Sequence, residues 1–126
     1  MYRFFNVCVA PNLRNDSIIR AIAIAKEMDY GYIFRAINKH KKITGAHYFC
    51  SPGHPQDFLS NVLHLNRVSI SPNKNGYRMS AADFCKEHPH GRYIIALGNE
   101  WSAVIDGVIL DIRDCSNDQV YAYYVC

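Results

Sequence analysis

No apolar stretch in this chain approaches the ~18 residues that a membrane-spanning helix requires, so helical insertion into a bilayer is not expected. The opening "MYRFFNVCVAPN" carries one basic side chain and only a short apolar run, and it lacks the layout of a secretory leader. The five cysteines are an odd number without the spacing of a disulfide framework. A reducing, cytoplasmic setting is the expectation. Repeats, linkers and low-complexity segments are also missing. Neither sign of charge dominates: 14 Lys and Arg against 11 Asp and Glu leave +3. That balance permits contact with nucleic acid but does not supply the clustered basic face such binding needs. The densest basic cluster, Lys39-His40-Lys41-Lys42, reads as the solvated end of a helix.

What the chain has in quantity is buried-surface material. Hydrophobic residues make up 49% and charged residues 20%, with nine Tyr and six Phe to fill a small core. Its 126 residues suit one domain over 1–126.

Hydrophobic spacing predicts the elements. Residues 2–9 read as a short strand or arm. Asn15 or Asp16 is placed to cap a buried helix through "RAIAIAK", with Ile18, Ile19, Ile22 and Ala25 on one face. Asp29 caps a second helix over 30–41, and "PQDFLSNVLHL" suggests a third, short one. "RVSISP" alternates as a strand and runs into the turn "PNKNG". Ser80 with Asp83 resembles a capping box opening "SAADFCKEH". The tail is strand after strand ("RYIIAL", "WSAVID", "VILDI", "QVYAYYV"), with Asp106-Gly107 as a hairpin turn. Helices first and an antiparallel meander last describe an α+β fold.

"NDSIIRAIAIA" puts a hydroxyl, Ser17, at the tip of a helix. A thiol there would have its pKa lowered by the helix dipole and would suit a cysteine nucleophile. A hydroxyl gains little from the dipole and needs a strong neighbouring base.

"RNDSIIRAIAIA" resembles the Asn-Asp-Cys-(apolar)2-Arg-Ala start of small papain-like cysteine peptidases of bacteriophages and bacteria. "FCKEHPHGRYIIALGNEWSAVIDGVILDIRDCS" is similar to that family's second half, in which a His-Pro-x-Gly turn, a strand leading to Gly-His, and an Asp-Gly hairpin follow one another. The likeness spans residues 14–37 and 80–124, with 43–78 alike in outline. It implies a papain-like fold, N-terminal helices packed on a C-terminal antiparallel sheet. By that likeness Ser17 stands at the cysteine's position and Glu100 at the histidine's. Asp111 matches the aspartate that orients the imidazole. A Glu cannot replace that ring: raised by burial it holds a proton, and it has no second nitrogen for Asp111 to hold. Ser17 therefore reads as the mark of a lost nucleophile, and no active catalytic residue is expected.

The resemblance then implies a non-catalytic, phage-encoded binder of a host protein in the host cytoplasm. Inhibition of a bacterial defence system such as CRISPR–Cas is one concrete form. The alternatives are a peptidase or amidase with a non-standard nucleophile, and a binder of nucleic acid or a small anionic ligand in the remnant cleft. Trp101 is a candidate interface anchor at the cleft rim, or a core residue. Arg14 and Arg20, with Lys74, are candidates for an anion groove; pairing of Arg20 with Asp111 or Asp106 is the favoured reading. Cys50, His54, Cys85 and His88 would make a two-Cys, two-His zinc set if the central loop folds onto the later helix. The spacing is not that of a standard finger, so no metal and no cofactor are expected.

Overall fold

The computed structural model describes residues 1–6, 16–44, 54–98 and 100–126, with the side chains of 41–44 and 54–55 outside the description. It is a mixed α+β fold around a six-stranded sheet. The strands are β1 (Tyr2–Phe4), β2 (Arg67–Ser69), β3 (Arg92–Leu97), β4 (Trp101–Ile105), β5 (Val108–Asp111) and β6 (Val120–Val125), in the spatial order β1-β5-β4-β3-β6-β2. The helices are α1 (Ser17–Ala25), α2 (Tyr30–Thr44), α3 (His54–Asp57) and α4 (Ala81–Glu87). Among the described residues no helix is long and apolar enough to cross a membrane.

The sheet departs from the expected antiparallel meander at one edge. β1 pairs parallel with β5, Phe4 opposite Asp111, so the first strand of the chain borders the last hairpin. The alternation of side chains then builds two cores. Ile94, Ala103 and Tyr124 face α1, α2 and the residues after α3, while Ile95, Val104, Ile109 and Val120 face Phe84 and Cys85 of α4. Helices therefore cover both faces of the sheet, where the sequence pattern had suggested a layer of helices on a sheet.

Helix α1 is buried almost all round because Ala21, Ala23 and Ala25 let its backbone approach while the isoleucines fill the space beside it. Its end is a Schellman turn: Glu27 N–H donates to Ile24 O at 3.4 Å and Met28 N–H to Ala23 O at 3.0 Å. Glu27 takes the left-handed conformation usually left to glycine (φ 54°). Arg92 compensates by pairing with the Glu27 carboxylate and reaching the carbonyl of Ala25. A cation at the C-terminus also suits the helix dipole.

Asp29 caps α2 through Tyr32 N–H (2.9 Å), and Ser80 caps α4 through Asp83 N–H (3.1 Å), both as the spacing predicts. α2 runs three residues past its expected end, to Thr44. The third helix breaks after one turn into a π-helical turn, Phe58–Val62, closed by Leu63 N–H to Phe58 O. That wider turn buries Phe58 and Leu59 together. His40, in the basic cluster read as solvated, is instead half-buried: it bonds Asp57 at 2.6 Å and packs edge-on to Phe58.

The β4–β5 hairpin turns at Asp106 and Gly107, both at positive φ (49° and 74°), as a type I′ turn demands. A Cβ on Gly107 would stand 3.2 Å from the carbonyl oxygen of Cys85. Gly107→Ala is expected to destabilise the fold by about 1–2 kcal/mol, read as a lower urea midpoint at unchanged slope.

Candidate functional site

Ser17 is the first residue of α1, as the motif required, and it is buried (8% exposed). Its Oγ accepts the backbone N–H of Trp101 at 3.1 Å. The helix tip thus meets the start of β4 through a main-chain contact.

Asp16 occupies the cap position but makes no side-chain cap bond. Its carboxylate turns inward, where it accepts the Tyr30 hydroxyl at 2.8 Å and pairs with Arg20 one turn along. Arg20 Nη2 also lies 3.9 Å from Asp111 Oδ1. Asp111 is 6% exposed; Ser102 Oγ donates to its Oδ2 at 2.7 Å and Ile112 N–H to its Oδ1 at 2.7 Å. The Tyr2 hydroxyl reaches the Asp111 carbonyl at 3.1 Å. One guanidinium therefore joins buried carboxylates from α1 and β5, tied further to α2, β4 and β1. Arg20 serves the structure through Asp16 and Asp111. Asp106, the other expected partner, instead accepts Gly91 N–H at 2.9 Å.

Glu100 is not part of this cluster. Its carboxylate is about half exposed and receives Arg113 through Nε (3.1 Å) and Nη2 (2.7 Å); Nη2 also donates to Asp118 at 2.7 Å. Donation to Asp118 and then to Glu100 raises the guanidinium pKa above its ordinary value, so Arg113 stays charged. Residue 101 meets the helix tip through its backbone N–H, and its side chain lies on the α1 face of the sheet. It packs into the α1 core with its ring 5.9 Å from that of Tyr124. Alternation explains the difference: residues 101, 103 and 105 of β4 face α1, whereas 102 and 104 face away. Asp111 lies beside Arg20, and the Glu100 carboxylate is taken up by Arg113. Trp101 is partly buried against the α1 core.

Arg14 and Cys50 lie outside the described residues, as does the His54 side chain. Lys74 belongs to an exposed turn after β2, at the opposite end of the strand order from β5. Of the zinc set, Cys85 is buried in the α4 core, and His88 stacks on Phe84 (ring centroids 4.1 Å) with Nδ1 3.1 Å from the Phe84 carbonyl. Among the described residues no group of three or more His, Cys, Asp or Glu could hold a metal ion.

Spacing alone would have found one member that sequence reasoning assigned only as a cap: Asp16 and Arg20 are four apart on a helix, a pairing distance. Tyr30 and Ser102 carry no such signal, because helix packing brings Asp16 to the first and strand pairing brings Asp111 to the second.

Within the cluster the serine hydroxyl that donates to a carboxylate is that of Ser102, on Asp111, while the Ser17 Oγ accepts from Trp101. Burial acts against the thiolate at the described cysteines. Burial raises the Cys85 thiol and pushes those of Cys115 and Cys126 up to about 11. Ser102 lies within hydrogen-bonding reach of Cys115 and offsets only part of that effect.

Beside the cluster, Glu100, Arg113, Asn117, Asp118, Gln119 and Tyr121 line an open polar depression of about 490 Å3. Compared with protein-family models, curated proteins and solved structures, the chain matches none.

Arg20→Met leaves two buried carboxylates without their cation and is expected to cost about 3–5 kcal/mol in urea unfolding. Arg113→Met, at a half-exposed pair, should stay within about 1 kcal/mol. At pH 8 Cys85, Cys115 and Cys126 should resist iodoacetamide in the native state and react on unfolding, as mapped by peptide mass. Because the folded thiol value of Cys115 is raised from about 9 to about 11, its contribution to stability is full below pH 9 and is lost as pH rises towards 11.

Proposed function

We propose that the chain is a catalytically degenerate relative of the small papain-like cysteine peptidases of phages and bacteria, that it is phage-encoded, and that it acts in the host cytoplasm by binding a host protein. The proposed consequence is inhibition of a bacterial defence system such as CRISPR–Cas. One observation carries the reading: the Ser17 hydroxyl at the helix tip accepts a backbone N–H from Trp101, where a nucleophile would need an imidazole. That bond engages one lone pair of the oxygen, and none of the described histidine hydrogen bonds involves Ser17.

Further support comes from what surrounds the tip. Asp111, whose counterpart in the resemblance orients a histidine, is committed to Ser102 and Arg20. The residue that bonds Ser17 is Trp101, on the face of β4 that packs on α1. The peptidase alternative would need another nucleophile, and the described thiols are held protonated by burial. An anion cleft would need Arg20, and its guanidinium is already engaged by carboxylates.

The test begins with Ser17→Ala. Removing one local hydrogen bond should cost on the order of 1 kcal/mol and leave the biological effect intact; loss of effect in a folded variant would return the protein to the enzymes. Restoration is the stricter test. Ser17→Cys with Trp101→His sets an imidazole beside the helix tip, and the introduced thiol should react with iodoacetamide at mildly acidic pH well ahead of Ser17→Cys alone. Ser17→Cys with Glu100→His should not gain, because that side chain lies towards Arg113. If neither double variant outpaces the single one, the helix tip is not a former thiol–imidazole site.

A further inference from the structure

Strand β2 is an edge of the sheet. Ile70 N–H donates to Tyr121 O at 2.9 Å, in the register that sets Ser69 opposite Ala122 and Val68 opposite Tyr123. Antiparallel pairs alternate between bonded and non-bonded, so Val68 and Ile70 turn their main-chain groups towards β6, and Arg67 and Ser69 turn theirs away. Among the described residues no group takes the outward N–H or C=O of either. All three residues of β2 are exposed, the apolar Val68 to 40%. An edge this short offers few main-chain bonds, and its charge adds to them. Residues 58–82 contain no Asp or Glu, yet they carry Arg67, Lys74 and Arg78. Arg67 bonds the Tyr124 hydroxyl, Lys74 lies in the exposed turn after β2, and Arg78 sets its Nε on the Ile70 carbonyl and its guanidinium over the Tyr121 ring. Arg20, Arg92 and Arg113 are paired with carboxylates; among the described residues these three cations are not. Neutral partners hold Arg67 and Arg78 in place and leave their charge uncompensated.

We propose that β2 receives an extended acidic segment of the partner protein as an added outer strand. The proposal rests on the protein-binding reading above and adds the chemistry of the contact. Main-chain bonds to Arg67 and Ser69 supply the attachment, and the alternating side chains supply the choice of partner. Arg67 lies on the face of Tyr124, in the α1 core, and Val68 on the face of Tyr123, which packs on the α4 core. The segment therefore alternates carboxylates on the Arg67 side with β-branched residues on the Val68 side. A nucleic acid is disfavoured, since it cannot continue a peptide ladder and its phosphates would face the outward carbonyls of Arg67 and Ser69. A second copy of β2 is disfavoured because it brings the same cations against these.

The edge is remote from the helix tip. In the strand order β2 stands at the opposite end from β1 and β5, and Asp111 of β5 belongs to the Arg20 cluster. Substitutions at the edge and at Ser17 therefore report on separate questions.

The experiment titrates the 15N-labelled full chain with the peptide acetyl-Glu-Val-Glu-Val-Glu-amide and follows amide shifts and hydrogen exchange along β2. Its lysine counterpart, acetyl-Lys-Val-Lys-Val-Lys-amide, is the comparison. Saturation in the millimolar range is expected, about tenfold weaker with the lysine peptide. Bound peptide should slow exchange about fivefold or more at Arg67 and Ser69 and leave Val68 unchanged, because only the outward amides gain a partner. Ser69→Pro removes one outward donor and no bond to β6, so the variant should keep the native spectrum and lose the peptide. If that variant does not fold, the alternation of exchange in the native chain decides. Raising salt should weaken the acidic peptide. Equal affinity for the two peptides, protection without alternation, no saturation, or tighter binding of oligodeoxythymidylate at the same amides would each overturn the proposal. A failed titration with Ser17→Ala still fully effective removes this contact and leaves the non-catalytic reading standing. Loss of effect in Ser17→Ala removes that reading whatever the titration gives.

Discussion

The pairing of Arg20 with Asp16 and Asp111 is the interaction on which the rest of this structure hangs. Carboxylates as deeply buried as these (2% and 6% exposed) are tolerated only with a cation and hydrogen bonds at hand. The guanidinium from the first full turn of α1 supplies the cation; Tyr30, Ser102 and the Ile112 N–H supply the bonds. Each of those groups comes from a different element, so satisfying the charges fixes α1 against α2, β4 and β5 together. The Nε of Arg20 is buried without an acceptor. A residual cost of that kind is carried when a network sets a geometry that apolar packing alone leaves loose.

That geometry has consequences for chemistry at the helix tip. With α1 held in this register, Ser17 meets the backbone of Trp101, and the strand's alternation turns residue 101 inward and the Glu100 carboxylate outward. A site that reads in sequence as one cluster is in space two. One is a buried polar knot in which the Arg20 Nε lacks an acceptor. The other is an open, half-exposed surface organised by Arg113. Surface ion pairs of the second kind add little to stability.

Much of the fold was legible. The tail strands follow from β-branched and aromatic alternation, and the Asp106-Gly107 turn from the need for two residues that accept positive φ. The caps at Asp29 and Ser80 follow from short polar side chains ahead of apolar periodicity. Less could be read where a local rule met a competing partner. Asp16 has the right type and position for a cap, yet Tyr30 and Arg20 take its oxygens. The helix after Asp57 has ordinary helical spacing, yet it widens into a π-turn to bury Phe58 and Leu59.

By itself, then, the sequence determined the elements, their order and the residue at the helix tip, because propensity, capping and alternation act over a few neighbouring residues. It did not determine how the elements meet. The parallel docking of β1 on β5 and the coverage of both sheet faces depend on contacts far apart along the chain, such as Phe4 with Asp111 and Phe84 with Tyr123. The same is true of the site. Adjacent residues on a strand point to opposite faces, so a shift of one position decides whether Glu100 or Trp101 stands beside Ser17. Sequence likeness cannot resolve a step that small. Only the packing of α1 on β4, held by Arg20 between its two carboxylates, does so.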